Sequence, residues 1–523
     1  IKSFKYYPLI PVCVTLQMTL ISSYNGPKGY SILKSSISAE MLAEIKKDLT
    51  VKPLSPGAPT TANTPTFPVF RESPKKIYVP HYYGTAKFGP AKSTTISAGD
   101  PIFVSFAGTL RPAQVPVVDA YLAHTVDAVR ENGLGGGLLE LPCAFGKTCL
   151  ALNIIARLGV KTLIIVHKEF LMNQWIERIQ EFLPTARVGK IQGSVIDIEG
   201  KDIVIGMLQS LSMKQYPSDM FSSFGLTVID EVHHISSEVF SNALFKIVTP
   251  YTLGLSATMN RKDGTTKVFK MFLGGVLYKG KREERNVTVR AIEYVTPDPQ
   301  FNSLILDYRG KPAYSSMITK LCGHSDRTEF ILTVISDMFV ETPGQQIMVL
   351  AHNKSVLKYI HDAIAHRKIA TVGYYVGGMK AAALKETEGK QVVIATYAMA
   401  SEALDIKTLT TLVMATPKTD IEQSVGRILR ERHSSPVVVD IVDPHSLFQN
   451  QWRKRKTFYR REKYSVISVK SSIYSPDTTD ALRWKTVVGG KNGAVCELDG
   501  EDSDDDGGAG GGVSGTCLLT FPK

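Results

Sequence analysis

Between residues 138 and 442 the chain twice sets out one pattern: short, unbroken apolar runs separated by amphipathic stretches of helical period. The runs at 138–141, 162–166, 203–206, 227–229 and 252–255 form one set, and those at 347–351, 392–396, 412–415 and 437–442 a second. In the stretches between them, residues such as Leu171, Trp175, Ile179 and Phe182 recur at helical spacing. An apolar run of strand length without polar alternation is buried on both faces, and strands that alternate with helices form parallel sheets joined by crossovers. The expected fold is therefore α/β, with two tandem domains built on parallel sheets. In such sheets ligands sit beyond the carboxyl ends of the strands, so the chemistry is to be sought there.

A length of 523 residues implies more than one domain, and an apolar content of 43% excludes a wholly disordered chain. The N-terminal run 9–21 is interrupted by Pro11, Thr15, Gln17 and Thr19, too short and too polar to span a bilayer. No small-residue cleavage site follows it and the chain opens at Ile1, so the start is read as that of a fragment or of foreign residues, and not as a secretory signal. Cys13, Cys143, Cys149, Cys322, Cys496 and Cys517 form no CxxC pair, which disfavours a disulfide framework or a zinc site and points to an intracellular setting. The formal charge of +12 favours a polyanionic partner. That charge is unevenly placed: 497–506 holds seven acidic groups and runs into glycines, as a disordered tail does, whereas 452–463 holds seven basic groups among Trp452, Phe458 and Tyr459. These features divide the chain into an N-terminal segment 1–52, a Pro/Thr-rich linker 53–76, domains at 77–285 and 286–475, and a tail 476–523.

The first candidate site is the run Pro142, Cys143, Ala144, Phe145, Gly146, Lys147 and Thr148, between an apolar run and a helical pattern. A loop in that position turns backbone N–H groups and a helix N-terminus toward phosphates. Lys147 would reach the β/γ-phosphates and the Thr148 hydroxyl would ligate Mg²⁺. Downstream, Asp230 and Glu231 follow the run 226–229 at a strand end. One carboxylate of such a pair holds Mg²⁺ and the other polarises the attacking water. A third element is Gln423, Arg427 and Arg430, at helical positions i, i+4 and i+7, with Ile421, Val425, Ile428 and Leu429 opposite. Guanidinium groups suit the spread charge of a transferring phosphoryl group.

In order and spacing these residues resemble the superfamily-2 helicases over about 75–465. Leu110-Arg111-Pro112-Ala113-Gln114 resembles the adenine-reading motif, with Gln114 its reader, and 141–148 motif I. Gln174 and Trp175 fall in motif Ia, Asp230–His233 is the DEVH form of motif II, and Ser256, Ala257 and Thr258 are motif III. Residues 396–406 resemble motif V and 423–430 motif VI. The wording of 254–264 and 450–456 is most similar to helicases of large cytoplasmic DNA viruses, the poxvirus transcript-release helicase and iridovirus relatives, and to the eukaryotic promoter-opening helicase. Two departures stand out: Ala144 and Ala403 occupy positions where these motifs usually carry glycine.

The resemblance implies two tandem RecA-like P-loop NTPase domains that use ATP and Mg²⁺. The first would supply Gln114, Lys147, Thr148, Asp230 and Glu231; the second would supply Arg427, Arg430 and, at the ribose, Asp405. ATP would be clamped fully when the domains close, and the cycle would step them along a strand. DNA, or alternatively RNA, would be contacted by Gln174, Gln209, Gly378, Lys380 and Thr396, with His233, Ser256, Ala257 and Thr258 relaying between ATP and strand. The basic–aromatic run adds Arg453, Lys454, Arg455 and Lys456, with aromatic faces to stack bases. The implied setting is viral transcription, or repair and replication, in host cytoplasm or nucleus or packaged in a virion, with transcription or replication machinery as partners. Two other readings share most of these residues: an ATP-driven duplex translocase, and a catalytically weak nucleic-acid binding protein on a motor fold.

Overall fold

The computed structural model describes residues 21–53, 66–142, 144–232, 237–259, 264–281, 285–402, 404, 406–431, 433 and 435–489. Cys143, His233, Ala403, Asp405 and the acidic tail lie outside the described residues. The chain divides between Lys281 and Arg282 into two compact units. Among the described residues no helix is long and apolar enough to cross a membrane.

The first unit opens on a small antiparallel sheet. Ser23–Gly26 and Gly29–Leu33 form a hairpin, Lys76–Val79 pairs with the second of these, placing Ile32 opposite Ile77, and Arg71–Glu72 lies at the edge. Tyr30, Ile32, Ile77 and Val79 are fully buried, the strand period of two having put them on one face. The stretch expected as a linker, 53–76, is described at its start and from residue 66. From Phe67 onward it is structured: Phe67–Pro68 pairs with Thr50–Val51, and Phe67 and Val69 are buried. Proline content suggested a linker, but these apolar side chains tie the end of the stretch to the core.

The large sheet of this unit runs in the order Val195–Ile196, Val188–Gln192, Ile203–Met207, Thr162–Val166, Leu226–Ile229, Tyr251–Ser256, Gly135–Glu140, Val276–Lys279. Neighbours are parallel except at the outermost hairpin, Val195–Ile196 on Val188–Gln192. Helices Val115–Asn132, Lys147–Leu158 and Glu169–Phe182 cover one face through Tyr121, Ile155 and Trp175. Leu208–Met213, Ser237–Leu244 and Thr266–Leu273 cover the other, where Leu211, Phe240 and Phe272 share a core with Tyr30 and Ile32 of the small sheet. Both faces are dry, as the unbroken apolar strands require.

The second unit repeats the plan. Its eight strands run in the order Val372–Tyr375, Val392–Thr396, Ile347–Ala351, Thr411–Met414, Val437–Val442, Thr288–Glu293, Ser465–Lys470, Lys485–Val488, all parallel but the last. Two buried ion pairs fasten helices to this sheet. Arg327, on helix Ser325–Glu341, grips Asp443 through Nε at 2.6 Å and Nη2 at 2.8 Å, both side chains being 0% exposed. Arg455, on helix Ser446–Arg461, grips Asp440 at 2.7 and 2.9 Å and donates to the Lys418 carbonyl at 3.0 Å, while Tyr459 donates its hydroxyl to the same carboxylate at 3.0 Å.

The pair at Arg455 generates a test of stability. Arg455→Ala strands the Asp440 charge inside the core and is expected to cost the second unit about 3–5 kcal/mol. Arg453→Ala, two residues away on the solvent side, should stay within about 0.5 kcal/mol of wild type. Chemical denaturation of the two variants checks the difference.

Candidate active site

Strand Gly135–Glu140 delivers the phosphate-loop candidate to the carboxyl edge of the first sheet, where the Leu141 N–H donates to the Ser256 carbonyl at 2.8 Å. The loop turns through left-handed backbone at Ala144 (φ +64°) and Gly146 (φ +85°). Helix Lys147–Leu158 then starts at once, its first turn closed by Leu150 N–H on the Gly146 carbonyl at 3.1 Å. The N–H groups that open a helix have no carbonyl of their own helix to bond, and together with the helix dipole they favour an anion. A side chain at Gly146 would not fit: a Cβ there would stand 2.5 Å from Gln114 Nε2. Gln114 is buried and braces the loop, donating to the Phe145 carbonyl at 2.8 Å and accepting from Arg111 N–H at 2.8 Å. Arg111 adds its own guanidinium to the Phe145 carbonyl and, at 3.2 Å, to that of Ala144. The residue expected to read adenine thus also shapes the loop.

Two strands over, beyond Tyr251–Ser256, Leu226–Ile229 ends in Asp230, which is 7% exposed. Its Oδ2 accepts the indole N–H of Trp175 at 3.0 Å and its Oδ1 accepts the Glu231 N–H at 2.9 Å. Glu231 follows with positive φ (+48°) and sets Oε1 3.4 Å from Lys147 Nζ. Burial, reinforced by the neighbouring Glu231 charge, pushes the Asp230 carboxyl up to about 6, against the pull of Lys147 and the Trp175 bond. A buried carboxylate with a second one beside it suits a hard divalent cation, which takes oxygen donors and relieves their repulsion. Thr148 and Asp230 are the donors that would hold Mg²⁺. Trp175 carries a functional contact that spacing did not disclose: it falls on the apolar stripe of its helix, and periodicity says nothing of where its N–H points.

Ser256, Ala257 and Thr258 continue strand Tyr251–Ser256 at the same edge, the Ser256 hydroxyl donating to the Thr258 carbonyl at 2.6 Å. Gln174 is half-buried on helix Glu169–Phe182 and Gln209 exposed at the start of Leu208–Met213. In the second unit Thr396 ends strand Val392–Thr396, and Gly378 (φ +92°) and Lys380 form an exposed turn after Val372–Tyr375. All follow carboxyl ends of parallel strands.

Two expectations change. The helix thought to carry Gln423, Arg427 and Arg430 on one face is only Glu422–Arg427, and Arg430 lies beyond it in a turn. The arginines still converge, because each donates to the Leu404 carbonyl, Arg427 at 2.8 Å and Arg430 at 3.4 Å. The bend follows from Ile428 and Leu429, which are both buried and so draw the chain inward at consecutive positions. The second change concerns the basic run. Arg453 and Lys454 are exposed and Lys456 half-exposed, but Arg455 is sealed against Asp440, and Trp452 and Tyr459 are buried. Those rings pack the helix to its unit and offer no face to a base.

The loop and acidic pair generate two stability predictions. Ala144→Gly removes a side chain from left-handed backbone and is expected to raise the first unit's stability by up to about 1 kcal/mol. Trp175→Phe keeps an aromatic side chain but removes the indole donor from Asp230 and leaves some buried volume unfilled, and should lower stability by about 1–3 kcal/mol or more. Thermal melts of both variants check the opposite signs.

Comparison with known proteins identifies the family. The family model described as "Type III restriction enzyme, res subunit" matches residues 107–261. A protein of Acanthamoeba polyphaga mimivirus, "Putative ATP-dependent RNA helicase L396", is 35% identical over 450 residues, 84% of this chain and 85% of that protein. An African swine fever virus protein, "Putative ATP-dependent RNA helicase QP509L", is 27% identical over 70% of this chain and 77% of its own length. "Putative helicase 161L" of Invertebrate iridescent virus 6 is 23% identical over 69% and 83%. Among solved structures, T4 UvsW covers 83% of this chain and 96% of its own at 19% identity and a TM-score of 0.33. With tandem RecA-like α/β units and a relative of this identity over most of both chains, the protein belongs to the superfamily-2 helicases and is a nucleic-acid-dependent ATP hydrolase of that family.

Proposed function

We propose that the chain is a DEVH-type helicase that tracks along a DNA strand in a viral transcription setting of the transcript-release kind, with Mg²⁺ as the ATP cofactor. The observation that carries the catalytic part is the cluster of Lys147, Asp230 and Glu231 at one sheet edge, with Trp175 locking Asp230. A phosphate entering the loop competes with Glu231 for the Lys147 ammonium, so nucleotide binding frees Glu231 to orient the attacking water. Mg²⁺, when bound, neutralises charge on the phosphates. Gln114 and Arg111 hold the loop open for the phosphates, Arg427 and Arg430 supply charge to the transferring phosphoryl group, and Ser256–Thr258 couple the edge to strand binding.

RNA is the second reading, favoured by the names of two relatives, each a "Putative ATP-dependent RNA helicase". Strand displacement on matched DNA and RNA duplexes separates the two, and ATP hydrolysis without displacement would mark a duplex translocase instead.

Glu231→Gln keeps the shape of the site and removes the base, so kcat should fall by a factor of about 10² or more with nucleotide affinity kept. Arg427→Ala should lower kcat by about 10³ if it acts as an arginine finger, with a much smaller effect on affinity. Steady-state hydrolysis beside nucleotide titration checks both; unchanged turnover in either removes that residue from the mechanism.

A further inference from the structure

We infer that the hairpin at 304–313 of the second unit is a base-stacking pin for single-stranded nucleic acid, with Tyr308 as the stacking ring and Arg309 and Lys311 as phosphate contacts. This rests on the nucleic-acid-tracking function proposed above.

The hairpin is built and held. Leu306 and Pro312 form an antiparallel bridge, Asp307 N–H donates to the Lys311 carbonyl at 2.7 Å, and Ala313 N–H to that of Ile305 at 2.8 Å. The Asp307 carboxylate accepts the N–H groups of Arg309 at 2.8 Å and Lys311 at 3.0 Å. Its charge is turned onto backbone N–H groups and is outnumbered by Arg309 and Lys311, so the tip is net positive. Lys320 ties down the base, donating to the Ser303 carbonyl at 2.6 Å and hydroxyl at 2.8 Å.

The tip holds an aromatic ring in solvent. Tyr308 is 87% exposed, and the Arg309 guanidinium covers one side of it at 5.0 Å, leaving the other face open. A large ring held out in solvent on the same hairpin tip as two exposed cations matches the chemistry of a nucleic-acid strand: bases stack on the ring and phosphates meet the charges. On helix Ser446–Arg461, Trp452 and Tyr459 are buried and Phe458 is half-buried with the Arg461 guanidinium over its ring at 5.3 Å, so the far more exposed Tyr308 is the better stacking surface.

The pin also stands on the right edge. Tyr314, which follows it directly, meets the His352 ring edge-on at 6.1 Å and donates to the Pro417 carbonyl at 3.4 Å. His352 and Pro417 lie just past the carboxyl ends of strands Ile347–Ala351 and Thr411–Met414, the edge that also carries Thr396 and the Gly378–Lys380 turn. The exposed Leu304, Ile305 and Leu306 would also suit a protein partner, and the experiment separates that occupant.

Full-length wild type, Tyr308→Ala and Tyr308→Phe are titrated against fluorescein-labelled single-stranded oligonucleotide, and against the same strand carrying 2-aminopurine. Tyr308→Ala should weaken binding about 5- to 150-fold and lose the 2-aminopurine quenching that stacking causes, while Tyr308→Phe retains both. Arg309→Ala with Lys311→Ala should flatten the salt slope by about 0.7 for each lost contact. The exposed position predicts unchanged thermal melts, so lost binding reads contact and not folding. If wild-type hydrolysis responds to nucleic acid and Tyr308→Ala binds and quenches as wild type does, the pin is overturned and the hairpin is left to a protein partner. If wild type itself neither binds the strand nor responds to it, the proposed function falls, and the pin with it.

Discussion

The site is organised by where one buried carboxylate can be tolerated. Asp230 ends an apolar strand, and its charge is stranded there unless donors and cations come to it. The Trp175 indole reaches it from a helix on one face of the sheet, Glu231's own backbone folds back on it, and Lys147, at the start of the helix after the phosphate loop, pairs with Glu231 and lends Asp230 its charge. These contacts draw together a strand end, a helix stripe and the phosphate loop, which lie far apart in sequence. The loop in turn is fixed from outside by Gln114 and Arg111, so the geometry that faces the nucleotide is a property of four segments and of no single motif.

The same logic appears in the second unit. Val437–Val442 carries Asp440 among valines and is followed by Asp443, both fully buried. Each takes an arginine from a helix, and that demand decides which basic residues of the chain are structural. Arg455 belongs to the core for this reason, and its neighbours Arg453 and Lys454 do not. Basic charge left in solvent, at the hairpin tip as on that helix, is then available to a polyanion.

How far the sequence could be read follows from these constraints. Strands at 162–166, 347–351, 392–396 and 437–442 were legible to the residue, because apolar runs, interrupted by a charge only at Asp440, have one environment that suits them. Strand Gly135–Glu140 was legible only from Leu138, since its three leading glycines read as loop; they are strand because Thr125, Thr252 and Leu277 pack where side chains would stand. The order of Lys147, Asp230, Glu231, Arg427 and Arg430 was visible as spacing. What spacing cannot carry is direction: the indole of Trp175 toward Asp230, the inward turn after Arg427, and the burial of Arg455. A signal for the last was present, since a lone Asp in a run of valines calls for a buried cation.

The central claim is that the Lys147 edge hydrolyses ATP in response to a bound nucleic-acid strand. Hydrolysis by the purified full chain, with and without single-stranded oligonucleotide, in wild type and in Lys147→Ala, tests it most directly. The account predicts hydrolysis that rises with oligonucleotide in wild type and is lost in Lys147→Ala. Hydrolysis indifferent to nucleic acid, or a Lys147→Ala variant as active as wild type, would contradict it.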